Sequence, residues 1–178
     1  MKRKILIIIF LLFTFLCSCS QNVKTYSVSI IGDYSYIGNK NTAKQELERV
    51  NLFFEKYNIR FEMLDYMNSD VMSKNYNLST SLDNFKNYNY KNSKATILFT
   101  GKHSGSKVGI SFKGEFGNKF SCIVLDMGYE NHEYVLIHEI LHLMGLSHSD
   151  NPNNIMFHQA QSLSITKDQE EVILQYGK

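Results

Sequence analysis

Apolar and polar residues alternate along several short segments of the chain, and this period of two predicts β-strands. The first such segment is 26–30 and the second is 59–64. Three further apolar runs, separated by glycines, complete a set of five predicted strands: 95–99, 108–112 and 120–125. Apolar residues three and four positions apart predict helices instead. These helices are expected at about 42–57, from 131 or 132 onward, and from 166 to 176.

Two of the predicted helices begin with a capping signal. The spacing of a capping box is found at Thr42 and Gln45. It is found again at Thr166 and Gln169. The order of strands and helices predicts one α+β domain with a mixed, twisted sheet of about five strands and three helices. The stretch 66–94 is rich in Asn, Ser, Tyr and Lys and is predicted to be a long surface excursion without an assigned role.

The first residues of the chain have the layout of an export signal. A basic start is followed by an apolar run that is too short to span a bilayer comfortably. The segment 16–19, Leu-Cys-Ser-Cys, resembles a bacterial lipobox. This resemblance implies a lipoprotein signal peptide over 1–18, lipid attachment at Cys19 and a short tether over 19–25. The rest of the chain, 26–178, is expected to form the one folded domain. Cleavage without lipidation and a short membrane anchor remain the alternatives.

Charge and cysteine content narrow the class of protein further. The chain has 19 Lys and Arg against 17 Asp and Glu, and three of the basic residues lie in the predicted signal. The processed chain would therefore have a net charge of 16 − 17 = −1, which gives no basic footprint for nucleic acid. Beyond the lipobox the only cysteine is Cys122, in an apolar run, and it is predicted to be a buried thiol.

The segment 138–148, HEILHLMGLSH, carries the candidate chemistry. His138 and His142 are four residues apart on a predicted helix, so both imidazoles can reach one metal ion. Gly145 can take a positive φ, end the helix and turn the chain back, which would bring His148 to the same point. Three imidazoles with a fourth position open are the ligands typical of a catalytic zinc ion. The sequence therefore predicts a single Zn²⁺ bound by three histidines.

The same segment resembles the metzincin signature HExxHxxGxxH of zinc metallopeptidases. Ser149, Pro152 and Met156 narrow the resemblance to the matrixins, in which a Met-turn follows the third ligand. The resemblance implies a zincin-like catalytic domain with a cleft above the active-site helix and with Met156 beneath the zinc. It also implies that Glu139 acts as general base on a zinc-activated water during peptide hydrolysis.

The matrixin resemblance also implies where a peptide substrate would lie. An extended peptide would pair with an edge strand at 108–112, which contains Ile110. Val135, three residues before the first ligand, matches a wall of the pocket for the residue after the scissile bond. The loop 157–165 would form the rest of that pocket. Both parts are apolar, so a hydrophobic residue after the cleaved bond is expected; core packing would account equally well for Val135.

Some features depart from the family pattern. Phe157 stands where some metzincins have a tyrosine ligand, and no cysteine-containing propeptide is recognisable. The histidines outside the motif are predicted to be surface residues rather than ligands of a second zinc: His103, His132 and His158. We expect a monomer that binds a protein or peptide substrate and, through its lipid, a membrane.

Two alternative functions remain open from the sequence. The first is a catalytically silent zinc lipoprotein that binds a partner through the cleft. The second is a zinc-dependent endoribonuclease, because bacterial rRNA-maturation endonucleases have a similar spacing of histidines. Those enzymes normally have glycine at the position of Glu139 and carry no export signal, which favours the peptidase.

Overall fold

The computed structural model of the chain describes residues 22–33, 36–69, 93–101, 108–112, 122–127, 131–159 and 161–178. These residues form five β-strands and three α-helices in the order expected for an α+β domain. The strands are β1 (Lys24–Asp33), β2 (Ile59–Ser69), β3 (Ala95–Thr100), β4 (Gly109–Ser111) and β5 (Cys122–Asp126). The helices are α1 (Lys40–Phe54), which continues into a 3-10 turn at Glu55–Tyr57, α2 (His132–Leu143) and α3 (Lys167–Tyr176).

The five strands form one mixed sheet with the order β2-β1-β3-β5-β4. Strand β1 pairs in parallel with β2 and β3, and β3 pairs in parallel with β5. Strand β4 is antiparallel to β5 and, among the described strands, lies at the edge of the sheet. The predicted mixed sheet of about five strands is therefore confirmed. Every residue of the central strand β3 is buried, as its continuous apolar sequence ATILF suggests.

The hydrophobic core lies between the sheet and the helices. Helix α1 packs against β2, and helix α2 packs against β4 and β5. The buried face of α1 repeats every three or four residues, which is the period of an amphipathic helix; it comprises Ala43, Leu47, Val50 and Phe54. The same core contains most of α2 together with Met156 and Ile173, so it supports the segment that carries the histidines.

Three element boundaries differ from the sequence-based expectation. Helix α1 begins after Asn39, whose side chain accepts hydrogen bonds from the backbone N–H groups of Asn41 (2.8 Å) and Thr42 (3.2 Å). Because Asn is as good an N-cap as Thr, the earlier residue caps the helix and the capping box predicted at Thr42 does not form. Strand β1 begins at Lys24, inside the predicted tether, since it pairs with β2 from Ile59 onward. Strand β2 also continues beyond residue 64.

The prediction that His132 is a surface residue is wrong. Helix α1 packs against the first turn of α2, and His132 Nε2 lies 2.9 Å from Oε2 of the buried Glu46. Arg49 binds the same carboxylate at 3.2 Å. A buried carboxylate needs hydrogen-bond donors, and the His132 imidazole and the Arg49 guanidinium supply them. Burial alone would raise the pKa of Glu46, but the hydrogen bonds and charges of His132 and Arg49 outweigh it and lower the pKa.

Several predictions fall on residues outside the described ranges. They concern the signal peptide, Cys19, most of the excursion 66–94, and His103. The backbone of Cys122 lies in β5, but its side chain is not among those described. Within the described residues, no helix is both long enough and apolar enough to cross a membrane.

Candidate metal centre

Helix α2 presents two histidines from one face. His138 and His142 are one turn apart, and their ring centroids are separated by 4.5 Å with the planes nearly perpendicular. The remaining faces of the helix are largely apolar, and residues 135–141 are all buried. The helix is therefore fixed by the core around it, and this fixes the direction of both imidazoles.

The turn at Gly145 brings in the third histidine. Gly145 has a φ of +93°, and its N–H donates to the carbonyl of His142 at 3.0 Å. The N–H of Leu146 donates to the carbonyl of Leu141 at 3.0 Å, which completes a Schellman motif. The chain then reverses, and the ring of His148 lies 4.6 Å from that of His142. The predicted helix end and turn are confirmed.

The three histidines offer their ring nitrogens to one point. Among the described residues they form a group whose ligand atoms all lie within 4.8 Å of one another. The Nε2 atoms of His142 and His148 are 3.1 Å apart. Two imidazole nitrogens on a tetrahedral zinc ion would be separated by about 3.3 to 3.4 Å, given Zn–N bonds of about 2.0 to 2.1 Å. The separation of this pair is therefore close to the one that a shared zinc ion requires.

The tautomers of two ligands are set by backbone carbonyls. His138 Nδ1 lies 2.7 Å from the carbonyl oxygen of Ile155, and His142 Nδ1 lies 2.7 Å from that of Leu146. A carbonyl oxygen can only accept, so each Nδ1 carries a proton, and in the neutral imidazole Nε2 then keeps its lone pair. This is the arrangement that metal-binding histidines usually have. The donor set thus fits a divalent metal ion.

Burial favours the neutral form of His138, the most buried of the three histidines. Desolvation lowers the pKa of His138 to about 4, although the hydrogen bond to the Ile155 carbonyl opposes this effect. The neighbouring His142 and His148 lower the pKa further. A neutral imidazole is the form that binds metal, so His138 needs no deprotonation near neutral pH.

Glu139 lies beneath strand β4. Its side chain is buried, with 6 % of its surface exposed. A Cβ atom built on Gly109 of β4 would lie 3.1 Å from Glu139 Oε1 and 2.5 Å from Val135 Cγ1. The backbone of β4 therefore passes directly over both side chains. Ile110, the next residue in β4, is half-buried and pairs with Val124 of β5.

Met156 lies in the segment that returns under the histidines. Its side chain is fully buried, and its backbone carbonyl accepts a hydrogen bond from the N–H of Ser149 at 2.9 Å. Its own N–H donates to Asn154 Oδ1 at 2.8 Å. The preceding residue, Ile155, donates to the carbonyl of Ser164 and so closes the loop that follows. The structure places this segment next to His138 through the Ile155 carbonyl.

Sequence reasoning missed two residues near the site. The sequence pattern places Gly109 only inside a predicted strand, although a glycine in an apolar strand often marks the close approach of another group. Asn154 was not singled out, yet 2 % of it is exposed and its amide bonds within the turn. No local signal distinguishes Asn154 from the asparagines beside it.

The fold and the three-histidine centre define a domain of the metzincin type. The chain belongs to the matrixin family, because the family model described as Matrixin (peptidase M10) matches residues 22–176. A comparison with curated protein sequences found no significant match.

Solved structures show the same fold at low sequence identity. Metalloproteinase-II from Bacteroides fragilis superposes with a TM-score of 0.64 and 18 % identity, over 89 % of this chain and 55 % of that one. The present chain thus spans about half of that protein. Archaemetzincin from Methanopyrus kandleri superposes with a TM-score of 0.61 and 13 % identity, over 86 % of this chain and 96 % of that one.

Proposed function

We propose that the chain is a zinc-dependent metalloendopeptidase that holds one Zn²⁺ through Nε2 of His138, His142 and His148. The observation that carries this proposal is the state of the donor atoms. Two of the three imidazoles have their Nδ1 protons bonded to carbonyls, and the ligand atoms of all three lie within 4.8 Å of one another. Membership of the matrixin family supports the same assignment.

When bound, Zn²⁺ would supply Lewis acidity that activates water and polarises the carbonyl group to be cleaved. Glu139 follows the first ligand on α2 and is the general base of this proposal. Its carboxylate takes a proton from the attacking water and delivers it to the leaving amine. Strand β4 covers Glu139 and excludes solvent from one side of the carboxylate, which strengthens its interactions with the reacting groups.

Strand β4 is the proposed substrate-binding edge. It pairs with β5 on one side only, among the described strands, so its other edge can pair with an extended peptide. Because β4 lies over Glu139 and Val135, a peptide paired near Ile110 would run past the catalytic carboxylate. Val135 is apolar and packs beneath β4 at this point, with 4 % of its surface exposed. We propose that the enzyme prefers a hydrophobic residue after the cleaved bond.

Metal analysis and a peptide-library digest test the proposal together. The wild type should contain one zinc per chain and cleave peptides in a chelator-sensitive manner. Glu139→Gln should keep the zinc and lose about 10²- to 10⁴-fold in turnover, the range typical of a general base. His142→Ala should lose the metal. Glu55→Gln changes an exposed carboxylate after α1 in the same way and serves as the matched control.

Other outcomes of this experiment point elsewhere. A wild type that takes up no zinc on reconstitution refutes the metal site. Undiminished cleavage by Glu139→Gln refutes the general base. A zinc-loaded protein that binds peptides but does not cleave them is a binding module, and one that cleaves RNA is a nuclease.

We also propose that the enzyme is an exported lipoprotein held at a membrane by Cys19. The support is the sequence 1–19, with its basic start, apolar run and lipobox-like end. Two acyl chains or more are needed for stable anchoring, and lipoprotein processing would provide them. Cys19→Ala should release the protein from the membrane fraction. Continued partitioning of this variant with membranes would refute the anchor.

A further inference from the structure

An amide pair links helix α3 to the segment beneath the histidines. Asn154 Nδ2 donates to Gln169 Oε1 at 2.8 Å, and Gln169 Nε2 donates back to Asn154 Oδ1 at 3.3 Å. Asn154 is buried and Gln169 is half-buried. Two polar side chains that satisfy each other at a buried position hold their elements in a defined register.

Through Asn154, the amide pair is connected to the proposed metal ligand His138. Asn154 Oδ1 also accepts the N–H of Met156, so the amide fixes the backbone on both sides of Ile155. The carbonyl of Ile155 accepts the Nδ1–H of His138 at 2.7 Å. A displacement of Asn154 would therefore move the group that sets the tautomer and orientation of His138.

Through Gln169, the amide pair is connected to the N-terminus of α3. Gln169 Oε1 accepts the N–H of Thr166 at 2.9 Å, and Thr166 Oγ1 accepts the N–H of Gln169 at 3.3 Å. These two bonds are the capping box of α3. One oxygen, Gln169 Oε1, thus serves the helix cap and the Asn154 amide together.

We propose that Gln169 and Asn154 are positioning residues for the metal centre. Their amide pair holds the Ile155 carbonyl against Nδ1 of His138 and thereby fixes the orientation of this imidazole. Neither side chain is itself a ligand, so the effect passes through the backbone of 154–156. The inference rests on the proposed zinc function. Removing a group that orients a metal-binding histidine typically weakens metal affinity by about 10- to 100-fold.

Three single variants of the full chain separate positioning from general stability. Gln169→Met keeps the length of the side chain but removes both bonds to Asn154. Gln169→Glu keeps the oxygen that Asn154 Nδ2 and the Thr166 N–H use, but it loses the Nε2 donor to Asn154 Oδ1. Thr166→Ala is the matched control, because it removes the hydroxyl bond of the cap and leaves the amide pair intact.

Zinc affinity is measured by competition with a chromophoric chelator, and the melting temperature of each metal-free variant is measured in parallel. We expect Gln169→Met to weaken zinc binding about tenfold or more. Gln169→Glu should weaken zinc binding less than Gln169→Met does, because it keeps one of the two bonds to Asn154. Thr166→Ala should lower the melting temperature without changing zinc affinity.

Equal zinc affinities in Gln169→Met and Thr166→Ala would overturn the inference while leaving the proposed function intact. A loss in Gln169→Glu as large as that in Gln169→Met would also overturn it. A wild type that binds no zinc would instead refute the proposed function, and the inference with it.

Discussion

Gly145 offers a sharp test because the backbone alone restricts it. Its φ is +93°, and a Cβ atom built at this position meets no other atom within 4 Å. A side chain at this position therefore introduces backbone strain but no steric clash. For a non-glycine residue in this region the cost is about 1–2 kcal/mol. Asn tolerates positive φ better than Ala, whereas β-branched residues tolerate it worst.

We therefore expect an order of stability that does not follow side-chain size. Gly145→Ala should lose about 1–2 kcal/mol of unfolding free energy, Gly145→Asn should lose less, and Gly145→Val should lose more. Because the turn returns the chain to His148, strain relieved by opening the turn would also weaken zinc binding. A loss of 1.4 kcal/mol would correspond to about tenfold in affinity.

Urea unfolding of the metal-free and zinc-loaded proteins measures both effects. The difference between the two unfolding free energies reports the change in zinc affinity. If Gly145→Asn proves less stable than Gly145→Ala, the loss follows volume and the argument from φ is wrong. A zinc affinity that stays constant across all three variants would show that the turn does not position His148.

Three further results are expected. Gly109→Ala should lower the free energy of unfolding by about 1–3 kcal/mol through overpacking, since its Cβ would lie 2.5 Å from Val135 Cγ1. In a double-mutant cycle, Val135→Ala should restore part of this loss. The pKa of Glu46 is lower in the folded protein than its ordinary value of 4.5. Its carboxylate therefore stabilises the fold above pH 4.5, and this stabilisation is lost as the pH falls through the folded pKa. Glu46→Gln, which also weakens the bond to His132, should remove this acid dependence in urea melts above and below pH 4.5. Chelation of zinc should lower the unfolding free energy by about 4 kcal/mol relative to a free zinc concentration of about 1,000 times Kd.

The parts of the site that could be predicted are local in sequence. His138 and His142 are brought together by helical geometry, and Gly145 turns the chain because it can take a positive φ. The capping box of Thr166 and Gln169 is also local in sequence, and it forms as predicted. The cap expected at Thr42 did not, because Asn39 offers an equally good local signal and the packing of α1 decides between them.

The parts that could not be predicted depend on contacts across the fold. Glu139 meets Gly109 only because α2 docks under β4. His132 is half-buried because Glu46, 86 positions earlier, lies against it. No periodicity or motif in either segment indicates its partner, since sequence patterns describe neighbours along the chain and not neighbours across the core.

The short separation of the ligands has a consequence for how the protein folds. His138 and His148 lie ten positions apart in the sequence, whereas β1 joins β2 by pairing Lys24 with Ile59. Closing the small loop costs less chain entropy than assembling the parallel sheet, and parallel sheets form slowly. We therefore expect zinc to be captured before the strands have paired and to act as a nucleus for the rest of the domain. Under the proposed function, the ion would then set the rate of folding as well as supply the chemistry of the active site.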